Sequence, residues 1–274
     1  MDDIERLQDR EYLCSNQYKN SSNLGDRAQL HQRFSDNPVR WHRWIFDFLN
    51  LTSGMEVLEC GTGPGWLWQE NLNQIPEECQ ITLTDLSPGM VAEAKEKIGT
   101  NDARFRFQVA DVTSLPFEND SFDRVVANHM LYHVPNSDRV RAFAEIRRTL
   151  RPDGCFIATT VGRNHMRELH EFAGQSFSIP VDELRRLSIT FTLENGHEQM
   201  KPWFTSIELH RYKSTLEVTE AEPILSYILS SSVFGNGTDE VIIQQALMTL
   251  EGIISAEGSF SITTDSGLFV ARNH

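Results

Sequence analysis

Two groups of residues in this sequence have the types and the spacing to do chemistry. The first is the run Val57-Leu58-Glu59-Cys60-Gly61-Thr62-Gly63-Pro64-Gly65-Trp66, an apolar stretch that breaks into glycines at every second position. Glycine lets backbone come close to a ligand where any Cβ would collide. A dinucleotide fingerprint needs G-x-G-x-x-G, its third glycine allowing helix to pack on strand. Trp66 stands at that third position, and Pro64 removes one N–H from any pyrophosphate cradle. A nicotinamide oxidoreductase is therefore disfavoured. The second group consists of His31, His42, His129, His133 and His165, with Tyr18 and Tyr132. An unperturbed imidazole, with a pKa of about 6.5, is suited to general-base work near neutral pH. His129 and His133 have the i, i+4 spacing of a zinc pair, but no carboxylate or cysteine accompanies them, so no metal is expected.

These residues must be positioned by regular elements, and the pattern from Met55 to Gly162 supplies them. Apolar runs alternate with helical ones, the signature of a parallel sheet with crossover helices. Strands are expected at Glu56–Cys60, Ile81–Thr84, Phe105–Ala110, Arg124–Ala127 and Cys155–Val161. Ser87-Pro88 reads as a hydroxyl N-cap followed by proline at the first helical position. A helix from about Asp138 to Leu150 should stop at Arg151-Pro152-Asp153-Gly154. Before Met55, WHRWIFDFL places Trp41, Trp44, Ile45 and Phe48 at helical spacing, so residues 1–50 are expected to form a helical cover or lid. The rest, 51–274, is expected as one domain with a helical insertion at about 220–258. Helices near Asn164–Ala173 and Glu194–Lys201, and a turn at Asp265-Ser266-Gly267, complete the reading.

Composition limits the partners. Thirty-nine acidic against 25 basic side chains give a formal charge of −14, which repels phosphate backbones, so nucleic acid is a poor partner. No apolar run approaches the roughly 20 residues needed to cross a bilayer, so no membrane insertion is expected. Four widely spaced cysteines without a C-x-x-C pair read as free thiols, which suits a cytoplasmic location. A small-molecule substrate and a possible homo-oligomer remain.

Glu59, Gly61, Gly63 and Gly65 match E-x-G-x-G-x-G, and on this motif the chain resembles the class I S-adenosylmethionine-dependent methyltransferases. Further segments match in order: ITLTDLSPGM with Asp85, FQVADVTSLPF with Asp111, DSFDRVVANHMLYHV, and RRTLRPDGCFIATTV. The resemblance is nearest to the small-molecule, quinone-biosynthesis-like group. It implies an α/β, Rossmann-like fold with a seven-stranded, mostly parallel sheet and an antiparallel last strand; Ser206–Arg211 and Leu268–Arg272 are expected as strands six and seven. It also implies S-adenosylmethionine as cofactor, held by Glu59, Gly61, Gly63, Gly65, Asp85 on the ribose, Leu86, Asp111 on the adenine amino group, Val112 and Asn128.

An SN2 methyl transfer chiefly requires a nucleophile held in line, and a base only when that nucleophile starts protonated. His129, at the end of strand four, and His133 are the catalytic candidates; Tyr18, His31, Tyr132 and His165 are candidates for substrate contact. The expected activity is methylation of an oxygen, nitrogen or carbon of a small, partly apolar metabolite. The alternative is a catalytically silent, methyltransferase-like binding or regulatory subunit.

Overall fold

The computed structural model describes residues 8–17, 19, 21–99, 101–185, 190–230 and 238–273. Helical segments come first: α1 (Arg10–Tyr12) running into a π-helical turn at Leu13–Gln17, then α2 (Ser22–Phe34) and α3 (Trp41–Leu49). The alternating region follows as β1 (Glu56–Cys60), α4 (Trp66–Gln69), β2 (Gln80–Asp85), α5 (Pro88–Ile98), β3 (Phe105–Val109), β4 (Phe122–Asn128), α6 (Asn136–Thr149) and β5 (Leu150–Val161). The chain continues through α7 (Arg167–Phe177), α8 (Val181–Arg185), α9 (Gly196–Met200), β6 (Ser206–Val218), α10 (Ala221–Leu229), α11 (Glu240–Glu257) and β7 (Phe260–Arg272).

The seven strands lie in the order β3-β2-β1-β4-β5-β7-β6. The first five pair in parallel, while β7 runs antiparallel between β5 and β6. This is the Rossmann-like sheet expected. Strand order reverses between β1 and β4, and in such sheets ligands bind outside the carboxyl ends of the strands at that switch point. One apolar core, with Phe143, Phe156 and Phe269, packs on one side of the sheet, and a second, with Trp68, Ile81 and Leu83, packs on the other. A third cluster joins Leu30 of α2 to Ile224 of α10, Leu250 of α11 and Leu169 of α7.

Several sequence expectations need correction. Asp265-Ser266-Gly267 is not a turn: it lies within β7, which pairs with β6 over thirteen residues from Ser206–Arg272 to Val218–Phe260. Gly267 is needed there because a Cβ would stand 2.4 Å from the His210 carbonyl oxygen of the neighbouring strand. Paired with β7 throughout, β6 runs on past Arg211 to Val218. β5 starts at Leu150, with Arg151-Pro152-Asp153-Gly154 taken up as a register shift against β4 rather than preceding the strand. The helix expected at Asn164–Ala173 begins later, at Arg167, after Met166 with φ of 56°.

Local chemistry aims the glycine loop. Ser87 caps α5 by accepting from the Met90 N–H, and Pro88 opens the helix, as the sequence predicts. Gly65 has φ of 79°, and a Cβ there would lie 2.9 Å from Ile98 Cδ1 and 3.2 Å from Ala94 Cβ of α5. Gly65→Ala therefore combines a left-handed backbone with overpacking, and should destabilise the fold by about 2 kcal/mol or more. Urea unfolding checks this: the midpoint should fall while the slope stays constant.

Candidate active site

A cavity of about 640 Å³ opens at the carboxyl ends of β1, β2 and β4 and is covered by α2 and α3. That volume falls in the range of roughly 300–1,000 Å³ usual for small-molecule sites. At one end stands the glycine loop. Gly63 has φ of 54° and nothing within 4 Å of where a Cβ would be, so the loop presents open backbone to the cavity. Gly61, with φ of 72°, packs instead against Met130, whose Cβ would lie 2.8 Å from an added methyl.

Asp85, at the end of β2, faces the same space. Its Oδ2 accepts from the Gly63 N–H and its Oδ1 from the Ser87 N–H, both at 2.9 Å. A carboxylate has about four acceptor positions, so each oxygen keeps room for a further donor. Burial pushes the Asp85 carboxyl above its ordinary value, and the backbone N–H groups of Ser87, Gly63 and Leu86 oppose that shift. Asp111 lies beyond the end of β3: its Oδ1 accepts from the Thr113 N–H and hydroxyl, and its Oδ2 pairs with Arg10 at 2.6 Å. Leu86, Val112 and Asn128 also line the cavity, the last donating nothing to Thr159 but accepting its hydroxyl at 2.7 Å.

Glu59 and Gly65, expected as cofactor contacts, are outside the lining. Glu59 is 1 % exposed, and its Oε2 accepts from Thr62 Oγ1 at 2.8 Å and Trp68 Nε1 at 2.7 Å. Its carboxyl ties the loop to α4 from beneath, and burial pushes it up to about 7. Gly65 serves the packing of α5.

The other end of the cavity is aromatic and rich in imidazole. His129, with φ of 51°, donates its backbone N–H to Thr159 Oγ1, and its ring lies 5.1 Å from that of Trp41. Burial, with the imidazoles of His31, His42 and His133 nearby, holds His129 down to about 3. His31, His133, His165 and Tyr132 all reach the lining, as does His42, which contacts Glu70 at 2.9 Å. Tyr18 lies outside the described residues. Among the described residues no group of three or more His, Cys, Asp or Glu is arranged to hold a metal ion.

Sequence reasoning missed several lining residues: Arg10, Arg27, His170, Tyr212 and Tyr227. Trp41, read as a docking residue, lines the cavity and also packs against Trp44 and Tyr212. Only Arg27 carried a local signal, being one helical turn from His31.

Known proteins are similar to this chain in sequence and in fold. Residues 57–154 match the family model of the methyltransferase domain. A malonyl-[acyl-carrier protein] O-methyltransferase of Paenibacillus sp. (strain JDR-2) is 29 % identical over 171 residues, covering 61 % of this chain and 61 % of the relative. A ubiquinone/menaquinone biosynthesis C-methyltransferase of Citrifermentans bemidjiense is 31 % identical over 117 residues, 42 % of this chain and 49 % of the relative. Phosphoethanolamine N-methyltransferase 2 of Haemonchus contortus, solved in complex with S-adenosyl-L-methionine, has a TM-score of 0.59 at 21 % identity, over 96 % of this chain and 59 % of that one. In each case the match spans less than two thirds of the relative's length. Residues 57–154 of this chain are similar to the methyltransferase domain, and the curated relatives that share this segment are named as methyltransferases.

Proposed function

We propose that this chain is an enzyme that transfers a methyl group from S-adenosylmethionine to an oxygen, nitrogen or carbon of a small, partly apolar metabolite by SN2 displacement. The observation that carries this reading is the continuity of one cavity from the glycine loop and two carboxylates to a chamber of aromatic and imidazole rings. The residues present fit the cofactor: Gly63 leaves open the space a Cβ would fill, and Asp85 keeps acceptor positions for two hydroxyls. Gly61, Gly63, Asp85, Leu86, Asp111, Val112 and Asn128 would hold it. When bound, it supplies a methyl group already activated on a sulfonium. The protein's part is to align the acceptor and exclude water. Incubation with methyl-labelled S-adenosylmethionine and a metabolite extract tests the reading. Labelled product and S-adenosylhomocysteine support it; cofactor binding without turnover favours the silent binding subunit.

The N-terminal cover, the residues before about Trp41, serves as the lid. Arg10 pairs with Asp111 and also donates to Thr113 Oγ1 at 3.1 Å, while Gln8 donates to the Tyr132 carbonyl at 3.2 Å. These are polar bonds at the cavity mouth with few apolar anchors, so they can open at low cost. Hydrogen exchange should show the backbone amides of residues 8–17 gaining protection when both ligands bind. Equal protection with and without ligands rejects the lid.

His129 is the proposed base. With its pKa held at about 3, the imidazole is neutral at working pH and is ready to accept a proton, but it is a weak base. His129→Ala is therefore expected to lower turnover by about 10²-fold, the low end of the usual base effect, with cofactor affinity unchanged. A group that must be unprotonated loses activity as pH falls through its pKa, so wild-type turnover should show no acidic limb from this residue near 6.5. Near-normal turnover in the variant moves the role to His133.

A further inference from the structure

The acceptor end of the cavity collects cationic and imidazole groups from elements far apart in sequence. Arg27 and His31 are one turn apart on α2 and so share a face. Both approach Tyr227 of α10: the guanidinium carbon is 6.0 Å from the ring centroid, and the His31 centroid is 6.5 Å away. His165, between β5 and α7, lies parallel to His31, with centroids 5.9 Å apart and planes within 2°. The Asp265 N–H donates to His165 Nδ1 at 3.3 Å, which leaves the ring proton on Nε2 as a donor. Among the described residues Arg27 pairs with no carboxylate; Nε donates to Ser230 Oγ at 3.0 Å and Nη2 to the Ser230 carbonyl at 2.9 Å.

We propose that the methyl acceptor carries a compact oxyanion, a carboxylate or a phosphate on an apolar body, seated between Arg27, His31 and His165. This rests on the methyltransferase reading of the same cavity. A guanidinium whose bonds among the described residues go to neutral groups, beside two imidazoles, favours an anion, while an ammonium would be repelled and a neutral ligand would leave the charge uncompensated. The aromatic rings of Trp41, Tyr212 and Tyr227 line the same cavity and suit the apolar body.

The surrounding charges are consistent with this placement. Asp265 is turned to Arg211, and Glu168 is held by Thr263 and Arg167. His170 of α7 lines the cavity, with Glu183 of α8 as the lining carboxylate on that side and Arg185 adding positive charge near His165 and His170. Burial holds His31 down to about 4 and His165 well below its ordinary value. An anion placed beside them favours the charged imidazole and raises both.

The test uses benzoate, phenyl phosphate, benzamide and benzylamine as probes, each titrated calorimetrically with and without S-adenosylhomocysteine. At least one acid should bind about 10- to 100-fold more tightly than benzamide, the range of one charge-assisted hydrogen bond. The tighter acid separates carboxylate from phosphate. In histidine-labelled protein the His31 titration should move to higher pH with that acid and stay put with benzamide. Arg27→Gln should erase the preference while S-adenosylhomocysteine affinity is unchanged; if that variant does not fold, the wild-type histidine titration decides. Benzamide or benzylamine binding as tightly as both acids, or neither acid binding, overturns the proposal. Failure of S-adenosylhomocysteine to bind overturns the methyltransferase reading instead, and the acid preference measured without it still decides the oxyanion.

Discussion

Asp85→Ala is expected to weaken S-adenosylmethionine binding by about 100-fold or more, since each hydrogen bond to a charged group contributes about 1.5–3 kcal/mol and two ribose hydroxyls lose their acceptor. The effect has a second source in the protein. The Gly63 and Ser87 N–H groups both donate to this carboxylate at 2.9 Å, so its removal also releases the glycine loop from β2. Asp85→Asn keeps the shape and one acceptor oxygen but sets an NH₂ against one of those N–H groups. Its loss should fall between wild type and alanine. Calorimetry with S-adenosylhomocysteine measures all three, and urea unfolding checks that each variant is folded. Unchanged affinity in a folded Asp85→Ala protein removes Asp85 from the cofactor site.

The second large effect concerns stability. Glu59 is buried beneath the loop, and its carboxyl is pushed up to about 7 from an ordinary 4.5. A raised carboxyl pKa means that the folded state holds a proton the unfolded state has released. The resulting stability is fully present below about pH 4.5 and is lost as pH rises through 7. A shift of that size corresponds to about 3 kcal/mol across the window. Glu59→Gln has no proton to lose, and its amide oxygen can accept from Trp68 and Thr62 as Oε2 does. The variant should match wild type near pH 4 and exceed it by up to about 3 kcal/mol at pH 8. Urea unfolding across this range checks it; parallel profiles for the two proteins would show that Glu59 ionises freely. Glu59→Ala is expected to destabilise at every pH, because it leaves the indole N–H of Trp68 buried without an acceptor.

Local pattern was enough to read the elements around the glycine loop. β1, the loop after it and the Ser87-Pro88 start of α5 are set by short-range rules: apolar runs, glycine at positive φ and a hydroxyl cap. Those rules act within a few residues, so Gly63, Asp85 and Asp111 could be placed from their segments alone. Even there, type and spacing could not separate a residue that faces the cavity from one that holds the loop. Glu59 alternates with the residues around it and points into the packing of Trp68, while the next residue, Cys60, reaches the cavity.

The aromatic and imidazole half of the cavity was decided by tertiary structure. Tyr212 sits on β6 and Tyr227 on α10, and they meet Trp41, His31 and Arg27 only because β7 inserts between β5 and β6 and turns the intervening helices back over α2. Nothing within a few residues of Tyr227 carries that information. The supposed turn at Asp265-Ser266-Gly267 failed for the same reason: its residues have turn chemistry, but thirteen paired residues of β6 outweigh it. The imidazoles were visible as residue types, yet their low pKa values come from burial among segments that the chain brings together only on folding.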